Sequence, residues 1–381
     1  MEFQYENPDQ KLTDTARKFE QEHGPLKEGE IDEIIAKLFE KRGLSKMLEA
    51  PTDIGEKEAL ELCEKPLDDS HYDLLLDETG IVEVPIQTWE QGKGTICILL
   101  KNVIPQKLLD AVRPIVLKAA SQRKVAGGNR GVAAGTGMVP RKNRNGKTSQ
   151  IKGTPHLEDL SKEDYARLRS ATDGTLGFLA RDLRPGGQFY PCRLTSYSGA
   201  LPVELALMGT LAKFVAETFR KSYMTGKWKA QFDKASQTAP TWLLRTSEGI
   251  TPFTTITCNR SWRTAAHVDE GDLKEGFGVM CCLGDFEGCD LVFPRYRTAV
   301  RYREGDVLLA NVGSEVHGNT PLLNPDGTVP EVGREPERLV CVFYYNEGMD
   351  QCESTMQKER EVINRREIRT NKPKTKGVRG K

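Results

Sequence analysis

NRSWRTAAHVDEGDL, residues 259–273, sets His267 and Asp269 two apart at what reads as the end of a strand. Alternate strand residues point to the same face, so both side chains can meet one ion. His317, in SEVHGNTPL, lies 48 positions past Asp269 and is followed by a strand opening at Arg338, RLVCVFYY. Two imidazoles and a carboxylate on a β scaffold suit the facial triad of non-haem Fe(II), which leaves positions open for a co-substrate and dioxygen. A chain with five histidines and many aspartates yields a His-x-Asp by chance, and such a histidine alone is ordinarily a surface or core residue.

The neighbouring segments weigh the other way. TTITC before the motif and GVMCCL, CDLVF, TAVRY, DVLLAN and VCVFYY after it are short β-branched runs separated by Gly, Pro and charged turns. That pattern predicts an antiparallel sandwich or barrel, with His267 and His317 at strand ends around a meander.

These residues also carry a family likeness. NRSWRTAAHVDEGDL, GCDLVFPRYRTAVRYREGDVLLANVGSEVHGNTPL and RLVCVFYYN, with GNRGVAAG and CRLTSYS upstream, resemble the TET/JBP family of Fe(II)- and 2-oxoglutarate-dependent nucleic-acid base oxygenases, in particular its compact members from fungi and protists. The likeness spans roughly Val125 to Asn346 and leaves out the N-terminal region. It implies an α+β fold with a mainly β core: a double-stranded β-helix (jelly-roll or cupin-like) sandwich flanked by helices. The implied division is an acidic helical extension over 1–90, a dioxygenase domain over 91–350 with a basic DNA-binding loop at 121–153, and a basic tail over 351–381.

Net charge is zero across 381 residues, but the average conceals an acidic Met1–Glu90 and basic stretches at Arg123–Lys152 and from Lys358 onward. Such asymmetry points to a polyanion held by part of the surface. The nine cysteines show no zinc spacing and sit mostly in apolar strand runs, so they read as buried free thiols of a reducing compartment rather than a disulfide framework. Nothing approaches the roughly 18 apolar residues of a membrane span, and MEFQYENPDQ lacks the basic start and apolar stretch of a secretory signal. A soluble intracellular protein is expected.

Met1–Leu76 reads as helices and linkers, with Ile31, Ile34, Ile35, Leu38 and Phe39 on one helical stripe and Gly43 as its break. TICILL reads as a buried strand leading to a helix from Pro105, which Pro114 should end or kink. SKEDYARLRSATD is expected to be a short helix, QFYPCRLTSYS a strand, and Pro202–Met224 a helix backing the sheet. Pro325–Glu337 reads as a polar insertion before the last strand.

Ser121–Gly153 is Gly-dense and carries Arg123, Lys124, Arg130, Arg141, Lys142, Arg144, Lys147 and Lys152 with no acid among them. Charge runs are usually solvated faces; this one also fits a segment tracking phosphates.

The likeness implies further roles. His267, Asp269 and His317 would bind Fe(2+). The co-substrate 2-oxoglutarate, activated with O2, needs a cation for its distal carboxylate, and arginine matches a carboxylate as a fork. Arg338 stands at the family position, with Arg334 as rival and Arg263 as a contributor. Asp272 falls where an acceptor would meet a base amino group, Tyr344 where a ring would stack on the base, and Asn346 where relatives can carry His; Asn129, with Arg130 beside it, falls in a segment that approaches the base. Without the likeness Tyr344 is an ordinary core aromatic and Asp272 a turn aspartate after Gly271.

The implied activity is oxidation of a methylated base in double-stranded DNA by a nuclear, monomeric enzyme, foremost 5-methylcytosine to its hydroxymethyl, formyl and carboxyl forms. N-methyladenine or thymine is the alternative target. A protein-side-chain hydroxylase and a silent DNA-binding module are the other classes, the second disfavoured by three intact ligands.

Overall fold

The computed structural model describes residues 24–26, 29–42, 47–85, 94–124, 172–184, 188–222, 226–238, 240–246, 249–261, 263–331, 334–355 and 357–359, with a few single positions outside these. In chain order the main elements are helix α1 (Glu30–Arg42) and strands β1 (Met47–Glu49), β2 (Leu74–Leu76), β3 (Gly80–Glu83) and β4 (Thr95–Leu100). Helix α2 (Gln106–Ala120), strands β5 (Arg123–Lys124), β6 (Thr172–Leu179) and β7 (Arg193–Leu194), and helices α3 (Pro202–Ser222) and α4 (Gly226–Gln237) follow. The remaining strands are β8 (Thr255–Arg260), β9 (Gly278–Leu283), β10 (Leu291–Phe293), β11 (Thr298–Val300), β12 (Val307–Ala310), β13 (Gly318–Asn319) and β14 (Leu339–Tyr344).

The β-branched runs pair into two sheets. The larger runs β1-β3-β4-β12-β9-β14-β8-β6-β5, with β7 beside β6, and the smaller runs β13-β10-β11-β2. This is the jelly-roll sandwich expected. Pairings are antiparallel except β1 with β3 and β11 with β2.

Alternation along each central strand divides the core. Ile256, Cys258, Val279, Cys281, Cys341 and Phe343 face α2 and α3, while Met280, Cys282, Leu308, Ala310 and Val340 face Leu291, Phe293 and Val300 of the smaller sheet. With both faces covered, β4 and β9 are buried at every position, which is why TICILL and GVMCCL are continuous apolar runs.

Several expectations are corrected. Helix α2 runs through Pro114 to Ala120 and buries Leu108, Leu109, Val112, Ile115, Val116, Ala119 and Ala120. An interior proline costs about 3 kcal/mol. Burial of several large side chains at about 1.5–3 kcal/mol each outweighs it. QFYPCRLTSYS forms two short strands, at Gln188–Tyr190 and β7, and then turns into a helix at Ser196–Ala200, where Thr195 Oγ1 accepts from Ser198 N. Of SKEDYARLRSATD, Thr172 and Asp173 begin strand β6, and 161–171 lie outside the described residues.

Residues up to Leu76 are not all helices and linkers: β1 joins the large sheet and β2 the small one. Cys192 and Cys352 form a disulfide, 160 residues apart with Cα atoms 5.8 Å apart, so the reading of all cysteines as free thiols is corrected for this pair. The fold brings the segment after β14 against β6 and β7, and Phe178, Trp242 and Met349 pack around the bridge. The other seven cysteines are free, six of them buried. No described helix is long and apolar enough to cross a membrane.

Candidate metal centre

His267 and His317 come together through their backbones. His267 N donates to His317 O and His317 N to His267 O, both at 2.9 Å, an isolated antiparallel bridge between the loop after β8 and the residue before β13. Asp269 is held beside them by its N donating to Val312 O at 3.0 Å. His267, Asp269 and His317 each offer a ligand atom, all within 4.8 Å of one another, and no other such cluster exists among the described residues.

Each imidazole is oriented from behind. Nδ1 of His267 lies 2.8 Å from Ala265 O and Nδ1 of His317 lies 3.0 Å from Glu315 O. A carbonyl can only accept, so Nδ1 carries the proton and Nε2 presents its lone pair. Those Nε2 atoms lie 3.4 and 3.6 Å from the Asp269 oxygens. Burial alone would raise the Asp269 carboxyl, but the hydrogen bonds and charge that the two imidazoles offer it when protonated hold it well below the usual carboxylate range. A carboxylate and two imidazole lone pairs converge on one point.

That point opens into a cavity of about 170 Å³ between the sheets. Alternation on β8 turns Thr257 and Asn259 toward it, Arg338 just before β14 and Val340, Val342 and Tyr344 on it join them, and Thr264, Tyr302, Asp272 and Asn319 add to the polar wall. Thr257 and Asn259 stand opposite Val342 and Val340 in register, so they form one continuous face.

Arg338 is 4% exposed, donates from Nη2 to the Tyr302 hydroxyl at 2.8 Å, and lies over the Phe286 ring at 5.4 Å. Arg334 differs: its side chain is 79% exposed and pairs with Glu331 at 2.8 Å. Arg263 is half-buried and not among the residues lining the cavity.

Asp272 is buried and lines the cavity, with Oδ2 lacking a hydrogen-bond partner. Burial pushes its carboxyl well up, and the charges of Asp269 and Glu347 add to this. Tyr344 lines the cavity with its hydroxyl 3.4 Å from Thr257 Oγ1, and burial pushes its phenol up. Asn346 is drawn away. Its Oδ1 accepts from Gly348 N at 2.9 Å, starting the 3-10 turn Glu347–Gln351, and it does not line the cavity.

The backbones of Arg123 and Lys124 form β5, while Asn129, Arg130, Arg141, Lys142, Arg144, Lys147 and Lys152 lie outside the described residues. Sequence reasoning passed over Thr257, Asn259, Tyr302 and Asn319. For the first two, alternation in TTITCN was the available signal, and for Tyr302 it was alternation in TAVRY; for Asn319 there was none, because a two-residue strand has no period.

Residues 202–347 match the Tet/JBP family model, the oxygenase domain of the 2OGFeDO superfamily. Among curated proteins, the bifunctional helicase and thymine dioxygenase JBP2 of Leishmania infantum is 48% identical over 77 residues, 20% of this chain and 7% of that protein. The thymine dioxygenase JBP1 of Leishmania major is 30% identical over 169 residues, 44% of this chain and 19% of that protein. The chain therefore spans only a small part of the length of these relatives. Among solved structures, NgTET1 in complex with 5mC DNA aligns over 82% of this chain and all of that one, at 11% identity and a TM-score of 0.46.

Proposed function

We propose, from the match of residues 202–347 to the Tet/JBP oxygenase domain model, that this chain uses Fe(II), 2-oxoglutarate and O2 to oxidise the methyl group of a base in DNA, with the C5-methyl of a pyrimidine as its target. The observation that carries the reading is the convergence of His267, Asp269 and His317 at the mouth of a cavity whose wall holds the buried Arg338. The donor set fits Fe(II): two imidazoles with Nδ1 committed to carbonyls and one anionic carboxylate. When bound there, iron with 2-oxoglutarate and dioxygen supplies the oxidation of a methyl C–H bond to C–OH, 2-oxoglutarate leaving as succinate and carbon dioxide.

The chain's own residues do the rest. Arg338, steadied by the Tyr302 hydroxyl, is the fork for the far carboxylate of 2-oxoglutarate. Met280, Leu291, Val340 and Val342 give that pocket its apolar lining. A base inside a duplex has to leave the stack to reach this depth, which makes Tyr344 a surface to stack on and Asp272 a group to read the base edge. The cations of 121–153 would hold phosphates. An enzyme of this kind works on chromosomal DNA in the nucleus.

5-Methylcytosine is the target that the likeness brought forward. Thymine is the second reading, favoured by one specific observation: the relatives that match at 48% and 30% identity are thymine dioxygenases. Both bases carry the same C5-methyl and differ at C4, where cytosine donates from an amino group and thymine accepts at a carbonyl. Duplexes carrying 5-methylcytosine, ordinary thymine or N-methyladenine, incubated with the protein, Fe(II) and 2-oxoglutarate and digested to nucleosides, separate the readings by mass spectrometry. A 16-dalton gain on thymidine alone selects thymine, one on methyldeoxycytidine selects the first reading, and no gain on any base refutes both.

A further inference from the structure

The carbonyl that orients His317 belongs to Glu315, whose own side chain is fixed from two sides. The Tyr296 hydroxyl donates to Oε1 at 3.0 Å, and Arg295 Nη1 lies 3.4 Å from Oε2. Arg295 in turn meets Asp53 as a two-toothed fork, Nε to Oδ1 at 2.8 Å and Nη2 to Oδ2 at 3.0 Å. Asp53 is anchored in the N-terminal segment by Gly55 N donating to Oδ1 at 2.8 Å, and Ile54 N donates to Arg295 O at 3.0 Å. The Asp53 side chain is 6% exposed and that of Glu315 is 13% exposed, so water cannot easily replace these partners.

A bidentate arginine–carboxylate pair fixes the plane of the guanidinium as well as its position. Held in that plane, Arg295 together with Tyr296 leaves Glu315 one arrangement, and the Glu315 backbone carries the acceptor for His317 Nδ1–H. Groups behind a metal-ligating histidine set its ring orientation, and their loss typically costs about 10–100-fold in metal affinity. We propose that Asp53 is a positioning residue for His317, acting through Arg295 and Glu315 from a segment outside the 202–347 domain match; this rests on reading His267, Asp269 and His317 as the metal ligands.

The fold contains its own control. Arg297, two residues from Arg295, makes a more exposed forked pair with Asp73 of the same N-terminal segment, and Asp73 and Arg297 do not touch Glu315. Loss of tethering alone would show in both variants, more weakly in Asp73→Asn because its pair is the more exposed, and would leave the Co(II) absorption envelope unchanged. A positioning chain is lost only in the first.

The test is titration of the full chain with Co(II), a visible stand-in for Fe(II), following its d–d absorption. Asp53→Asn is expected to weaken Co(II) binding by about 10–100-fold and to alter the absorption envelope. Tyr296→Phe, which removes one hydrogen bond and keeps the ring, is expected to weaken it several-fold, and Asp73→Asn to leave it at the wild-type value. Wild-type affinity and spectrum in Asp53→Asn overturn the proposal; should that variant not fold, wild-type affinity in a folded Tyr296→Phe overturns it instead. Wild-type protein binding Co(II) no better than His317→Ala overturns the ligand reading, a result distinct from either.

Discussion

Residues 255–344 and residues 47–83 build the same two sheets by different means. The first region supplies β8 to β14 from β-branched runs that are buried along most of their length. The second supplies β1 to β3, three or four residues each, with β1 and β2 at the sheet edges and β3 next to β1. Yet the second region also supports the metal centre. Glu64 N donates to Ala266 O at 2.7 Å and Ala266 N to Lys65 O at 2.9 Å, so the backbone beside His267 is paired to the N-terminal segment. Leu67 packs on the other side: a Cβ on Gly318 would lie 3.0 Å from the backbone C of Ala265 and N of Ala266 and 2.9 Å from Leu67 Cδ1, which is why glycine follows His317. Chemistry is concentrated in one region and its geometry is shared by both.

The sharpest break between the regions comes from the triad. His267→Ala, Asp269→Ala and His317→Ala are each expected to abolish metal-dependent turnover, by more than about 1,000-fold or roughly 4 kcal/mol. Thermal unfolding of the metal-free protein should stay close to wild type for Asp269→Ala, whose side chain is partly exposed, and fall more for His317→Ala, whose ring is buried beside Phe293. Full activity in any one of them removes that residue from the site.

Leu67→Ala reverses the pattern. Leu67 is fully buried against Ala59, Ala266, Val292 and Val316, so truncation should cost about 2–5 kcal/mol of stability, read by urea unfolding. One unfolding transition should shift as a whole. A variant in which only a minor early transition moves would mean that the N-terminal region is an appendage, and the comparison would collapse.

How legible each region was follows from the same physics. GVMCCL and VCVFYY announce themselves because β-branched and apolar residues in a doubly covered sheet leave no alternative period. The clustering of His267, Asp269 and His317 was legible because a metal site would restrict the residue types at those positions. LLL at 74–76 and GIVE at 80–83 are too short to show a period, and their pairing partners lie more than 10 residues away in sequence. Strand β6, TDGTLGFL, hid behind two glycines: at Gly174 a Cβ would lie 1.9 Å from Ala119 O of α2, and Gly177 has a φ of +84°. The Cys192–Cys352 bridge spans 160 residues, so no local spacing could reveal it. Pro114 does not end the helix, because the side chains buried on both sides of it outweigh the lost hydrogen bond.

The smallest contrast separates two arginines four residues apart. A clamp for a dicarboxylate has to be rigid, and a side chain on a strand flank, packed on rings, is better fixed than one on a loop. Arg338 precedes β14, is buried against Phe286 and Tyr302, and lines the cavity. Arg334 is exposed and already paired with Glu331 three residues earlier, a contact worth about 0–1 kcal/mol to stability. A charged hydrogen-bonded pair inside the cavity is worth roughly 1.5–3 kcal/mol, so Arg338→Ala should raise the 2-oxoglutarate requirement of turnover by about tenfold or more. Arg334→Ala should leave it within about twofold, since no buried partner loses its charge. Titration of 2-oxoglutarate at saturating duplex reads both variants. Because Arg338 also packs the cavity wall, Arg338→Lys is the arm that isolates the fork: it keeps the charge, loses the two-toothed geometry, and should fall between wild type and alanine. A large shift in Arg334→Ala with none in Arg338→Ala would move the clamp from the strand to the loop.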